Sequence, residues 1–186
     1  MDTFIEQIVQ KKKTMGERLI IVGVVLLALV ISGAVALFVP SLFLLVFALV
    51  CFGAWWLITN QNIEFEYSVT NGDIDVDSII AKRKRKRLVS VSGRKIESLL
   101  PYNPARSESG YQRVVMVAPS LQESGLWSFT YHSKKNGHTL VVFQPDTRVL
   151  QALYNGLPKL VQMDTTRAAR EQGIVLTATR GHGGEE

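Results

Sequence analysis

A single cysteine, Cys51, excludes an intramolecular disulfide and a cysteine-built metal site. Histidine is nearly as scarce, with only His132, His138 and His182. His132 and His138 flank the turn around Asn136 and Gly137, but two histidines without an aligned carboxylate or thiolate make a poor zinc site. No serine stands in a Gly-x-Ser-x-Gly elbow, and no glycine-rich phosphate loop links a strand to a helix. The chain is therefore expected to be no enzyme and to hold no metal or cofactor.

Charge is missing from one long stretch. Residues 19–58 contain no Asp, Glu, Lys, Arg or His. A bilayer core of about 30 Å takes roughly 20 helical residues, so residues 19–39 and 41–58 make two spans. Pro40 between them pushes its predecessor out of helical geometry, which predicts a tight transmembrane hairpin over 19–58. Gly23, Ser32, Gly33, Ala34 and Ala36 are candidates for close helix approach. Trp55 and Trp56 mark a water interface. Cys51 falls inside the second span as a small apolar residue.

Basic residues flank the hairpin and are absent from its turn. Lys11, Lys12, Lys13 and Arg18 precede it, and a six-residue basic run follows at 82–87. Positive groups stay on the cytoplasmic side, so a multi-pass protein of the cell membrane with both termini in the cytoplasm is expected. Residues 1–18 read as a cytoplasmic N-terminal segment.

After residue 59 the period changes to two. Ile63, Phe65, Tyr67 and Val69 alternate with polar residues, Asn71-Gly72 signals a tight hairpin, and Ile74 and Val76 alternate with Asp73, Asp75 and Asp77. Further strands are expected over 87–92, 94–99, 111–118, 126–132 and 139–144, with an irregular loop over 101–110. Trp127, Phe129 and Tyr131 at period two read as a packed sheet face. The period then becomes helical at 148–154, where Val149, Leu150, Leu153 and Tyr154 share a stripe behind Asp146 as cap. A second short helix near 165–172 fits within a tail, 161–186, expected to be partly disordered and glycine-rich at its end.

Seven strands followed by one helix is the element order of a pleckstrin-homology-like barrel. The fold class is α+β: an N-terminal transmembrane hairpin, then an antiparallel β-rich domain over 60–160 closed by a C-terminal helix. The hairpin, Glu64-Phe65-Glu66-Tyr67, Thr70-Asn71-Gly72, Asp75, Asp77 and the basic run together resemble a family of two-span membrane proteins of Gram-positive bacteria, over roughly residues 1–145. The resemblance implies location and architecture. It implies no activity.

The basic run, Lys82, Arg83, Lys84, Arg85, Lys86 and Arg87, is the candidate lipid-binding site. The first strand leads away from the membrane for roughly 26 Å, the Asn71-Gly72 turn reverses it, and the second strand returns the run to the bilayer surface. Anionic lipid attracts each basic residue there by about 1 kcal/mol. The competing reading is a topology signal on a solvated hairpin. Nucleic acid is disfavoured because no aromatic residues interleave the run. Asp73, Asp75 and Asp77 lack the later glycine and glutamate of a calcium loop, so they read as a solvated face, or as partners for basic residues on the next strand. The function expected is a membrane-anchored adaptor whose basic hairpin docks on anionic lipid. The alternative is a subunit of a membrane complex assembled through the transmembrane hairpin with protein partners.

Overall fold

The uncharged stretch folds as two helices, α1 (Met15–Phe38) and α2 (Phe43–Asn60), in the computed structural model, which describes residues 4–104 and 110–177. Thr14 and Glu17 form a reciprocal capping box at the start of α1, with the Thr14 N–H donating to the Glu17 carboxylate at 2.9 Å. Val39, ahead of Pro40, leaves helical geometry at φ −141°, and Pro40–Leu42 make a single 3-10 turn into α2. Both helices are long and apolar enough to cross a membrane, with mean hydropathy of 3.0 and 2.4.

The seam of this hairpin is not the one expected. Ile21, Val24, Ala28, Ser32 and Val35 recur at spacings of three and four and form the less exposed side of α1. Of the small residues proposed for close approach, only Ser32 lies there. Gly23, Gly33, Ala34 and Ala36 are exposed, and a Cβ at Gly23 or Gly33 would meet nothing within 4 Å. Each helical residue turns the chain by about 100°, so neighbours of Ser32 point elsewhere. Cys51 is exposed on α2.

The described part of the N-terminal segment, residues 4–18, is built into the fold. Phe4–Gln10 form a strand, β1, that pairs antiparallel with β2 (Ile63–Thr70), with Ile5 opposite Val69 and Val9 opposite Phe65. Lys11 N donates to Ile63 O at 2.9 Å and extends the ladder. The chain enters and leaves the helical hairpin through adjacent strands, so both flanks lie on one side of it. Asn71 at φ 52° and Gly72 at φ 85° then turn the chain into β3 (Asp73–Ile80), as a tight hairpin requires. β4 (Lys84–Val91) completes a sheet of order β1-β2-β3-β4.

A second sheet contains β5 (Ile96–Pro101), β6 (Arg113–Met116), β7 (Trp127–Ser133) and β8 (Gly137–Phe143), in the order β5-β7-β8-β6. β6 runs parallel to β8, a departure from the antiparallel expectation. Residues 117–126 carry the chain back past the sheet before β7 begins, which leaves β6 aligned with β8. Phe65, Tyr67, Val69, Ile74 and Val76 from the first sheet meet Trp127, Phe129, Val141 and Phe143 from the second in one core. Removing each such side chain from water contributes about 1.5–3 kcal/mol.

Two C-terminal helices cover this core. α3 (Thr147–Gly156) is capped by Asp146, which accepts from Val149 N at 2.8 Å, and buries Val149, Leu150, Leu153 and Tyr154. α4 (Lys159–Glu171) moves the domain limit beyond residue 160, because the described part of the expected tail packs on β5. Val161, Thr165 and Ala169 form its buried face, and the Thr165 hydroxyl donates to Leu99 O at 2.9 Å. The glycine-rich end at 181–186, including His182, and residues 105–109 of the irregular loop lie outside the described residues. Gly72, Gly93 and Gly156 meet backbone to backbone, where a Cβ on Gly156 would sit 2.5 Å from Gly72 Cα.

Candidate functional site

The first sheet has a foot, the end where Gln10, Ile63, Ile80 and Lys84 lie. α2 ends only two residues before β2, and α1 begins four residues after β1. Ala81 N donates to Asn62 O at 2.8 Å, so the turn between β3 and β4 rests against the exit of α2. Ala81 and Lys82 both hold left-handed backbone, at φ 53° and 56°, which reverses the chain within three residues. The basic run thus starts at the base of the helical hairpin and climbs away from it along β4.

Its six side chains are not equivalent. Val76 pairs with Val89 and Asp77 with Arg87, so Leu88 is a bulge residue. The bulge changes the face that odd-numbered positions occupy. Val89 and Val91 point into the core, whereas Arg85 and Arg87 lie on the outer face among carboxylates. Arg87 grips Asp77 through Nε at 2.8 Å and Nη2 at 3.3 Å, and reaches Asp75 through Nη1 at 2.9 Å. Arg85 pairs with Glu66 and lies 3.9 Å from Asp77.

Glu66 and Asp77 are 3% and 5% exposed; Asp75 and Asp77 are thus partners of a basic residue on the next strand, the second of the two expectations, while Asp73 stays exposed. Burial raises the Glu66 carboxyl above its usual value, nearby Glu6 adds to this, and Arg85 opposes it. Asp73 has another task, accepting from Ser92 Oγ at 2.7 Å and Gly93 N at 3.1 Å. Arg85 and Arg87 therefore neutralise the outer face of their own sheet. Lys84 and Lys86 share the opposite face with Ile80 and Ser78 and are exposed, as are Lys82 and Arg83 beside them.

A second basic group joins them. Lys11, Lys12 and Lys13 follow β1 and reach the same foot, where with Lys82, Gln10 and Glu64 they line a cleft of about 540 Å³. The sequence placed these lysines beside the first span but did not connect them to the basic run. Their juxtaposition depends on pairing between residues about sixty positions apart. A weak local signal was present in Phe4-Ile5-Glu6-Gln7-Ile8-Val9, a β-branched and aromatic segment placed just before the lysines.

The remaining candidates sort by position. His132 and His138 stand directly opposite each other on β7 and β8. His138 Nε2 lies 2.9 Å from Glu97, and its ring packs on Tyr111. Among the described residues, no three His, Cys, Asp or Glu side chains gather as a metal-holding group. A separate cleft of about 710 Å³ runs along α4 past Tyr154, Met163 and Arg167, with an exposed and mixed lining.

The family model described as the bacterial PH-like domain (DUF6106) matches residues 1–163. No curated protein and no solved structure matches the chain.

Proposed function

The chain belongs to the bacterial PH-like domain family (DUF6106), and on that premise we propose that it is a non-enzymatic interaction module held at the inner face of the cell membrane. In this reading α1 and α2 span the bilayer with both termini in the cytoplasm, and the basic foot rests on anionic headgroups. Protein partners then meet a domain held in one orientation. PH-like domains are typically non-catalytic, which suits such a role.

The observation that carries the reading is the hydrogen bond from Ala81 to Asn62. It ties the basic turn to the two-residue linker between α2 and β2. Lys82, Arg83, Lys84 and Lys86 are the docking residues of this proposal, while Lys11 and Lys12 beside them at the foot are engaged by Glu17 and Glu123. Arg85 and Arg87, already paired with buried carboxylates, hold the strand. Four cations that make no ion pair among the described residues, at about 1 kcal/mol each, orient an anchored domain, and salt weakens them over a Debye length of about 10 Å at 0.1 M.

The test uses the full chain in lipid nanodiscs, because residues 60–186 alone would lack β1. Amine labelling of Lys82, Lys84 and Lys86 is compared between phosphatidylglycerol-containing and pure phosphatidylcholine discs. Labelling is expected to fall several-fold with the anionic lipid at low salt and to recover at high salt. Equal labelling in both discs refutes docking.

A second reading is assembly of a membrane complex through the helical hairpin. It rests on Gly23 and Gly33, which face outward with open space above them. Gly23→Leu and Gly33→Leu would then dissolve an assembly that survives neutralisation of the basic turn.

A further inference from the structure

Lys11–Lys13 also line a second cleft, of about 780 Å³, between the start of α1 and the segment that follows β6. That volume falls within the range of about 300–1,000 Å³ common to ligand sites. Its lining divides by chemistry. Lys11, Lys12, Lys13 and Arg18 supply cations, while Phe65, Met116, Leu121 and Met15 supply apolar surface. Met15, Met116 and Leu121 are exposed, although each is large and apolar. The backbone bond from Lys12 N to Pro119 O, 2.9 Å, fixes the two walls against each other.

Two of the cations have partners. Lys11 Nζ pairs with Glu17 at 2.6 Å and Lys12 with Glu123. Lys13 and Arg18 make no ion pair among the described residues. The cleft thus keeps a surplus of two positive charges. They stand where α1 passes from its polar first turn, with Glu17 and Arg18, into an uncharged helix.

We propose that this cleft binds one anionic phospholipid, with the phosphate between Lys13 and Arg18 and the upper acyl chain along Met15, Met116 and Leu121. The inference rests on the reading that α1 spans the membrane. It differs from surface docking in being a one-to-one site built from other residues. A cation pair beside an apolar wall at the start of a spanning helix offers both kinds of group that a glycerophospholipid carries, a charged phosphate and hydrocarbon. A free phosphate would use the cations and leave the apolar wall exposed.

The experiment is native mass spectrometry of the full chain released from detergent, titrated with phosphatidylglycerol, phosphatidylcholine or inorganic phosphate. No bilayer surface is present, so failure of docking by the basic turn does not affect this readout. One phosphatidylglycerol adduct per chain is expected, in excess over phosphatidylcholine and undisturbed by millimolar inorganic phosphate. A basic residue at an anionic lipid contributes a factor of about five, so Lys13→Gln with Arg18→Gln should weaken the adduct about thirtyfold.

Leu121→Asp, on an exposed loop away from the spans, tests the apolar wall without disturbing membrane insertion and should also weaken it. Lys82→Gln with Lys84→Gln should leave it unchanged. Equal adducts for both lipids, displacement by phosphate, or an adduct insensitive to both the cation and the Leu121 variants overturns the proposal.

Discussion

Replacing Gly156 with alanine separates two physical arguments by sign. Gly156 closes α3 and has no positive φ, so alanine suits its backbone. Helix propensity alone favours the change by up to about 1 kcal/mol. Contact geometry says otherwise. The new Cβ would lie 2.5 Å from Gly72 Cα, 2.6 Å from Gly72 O and 2.8 Å from Gly72 C. Carbon atoms pack at about 3.5–4.0 Å, so the helix end and the β2–β3 turn must separate by roughly 1 Å.

All three neighbours are backbone, and Gly72 is held at φ 85° by a two-residue turn. No flexible side chain can move aside. Overpacking of this kind costs about 1–3 kcal/mol, which exceeds the propensity gain at most values in the range. A net loss of about 1 kcal/mol lowers the midpoint of a domain this size by about 4 °C. The assay is thermal unfolding of the full chain in detergent, followed by circular dichroism at a strand-dominated wavelength. Gly173→Ala serves as comparator: Gly173 is at φ 74° with nothing within 4 Å of a Cβ, so it tests backbone strain without a clash. A Gly156→Ala protein as stable as the parent, or more stable, would refute the contact argument.

Tyr67 is fully buried, its hydroxyl donating to Val117 O and accepting from Gln144 N at 3.3 Å. Tyr67→Phe leaves those two groups without this partner and should cost about 1–3 kcal/mol, read as a lower unfolding midpoint; an unchanged midpoint contradicts it. At Asp146, burial favours the neutral form but is outweighed by the bonds from Val149 N and Arg148, so its carboxyl lies below the usual value. A depressed pKa gives stability that is present above the unfolded value of 3.8 and lost as pH falls through the folded value. Asp146→Ala should therefore cost about 1 kcal/mol at neutral pH, with the gap to the parent narrowing below pH 3.8, measured by denaturant titration across pH.

The elements readable from sequence were those with a local signature. Residues 63–80 alternate cleanly, and Asn71-Gly72 supplies the turn, so β2 and β3 form where the pattern put them. β1 was not readable because Phe4, Ile5, Ile8 and Val9 are apolar in adjacent pairs. Phe4 and Ile8 face outward, and the partner strand lies beyond the two helices. α4 was seen only in part because its buried stripe is Val161, Thr165 and Ala169, too small and polar to raise a hydrophobic signal. The position of the basic run at the foot followed from strand lengths and one turn. Its division into paired arginines and exposed lysines did not. That division depends on the bulge at Leu88, which reverses the alternation between Arg87 and Val89.

The two helices are inserted between neighbouring strands, and this constrains how the domain can move. A domain on one tether swivels. Here β1 and β2, about 4.8 Å apart, are both joined to the helical hairpin through linkers of four and two residues. Rotation of the domain about the hairpin axis would shear the first rungs of the ladder between Gln10 and Glu64. A sideways pull on the domain is thus delivered to the helices as torque, and a tilt of the helices is delivered to the sheet as twist. The same arrangement sets an order of assembly: the first rung cannot close until both helices have been made, so a chain interrupted before residue 63 leaves β1 with an open edge.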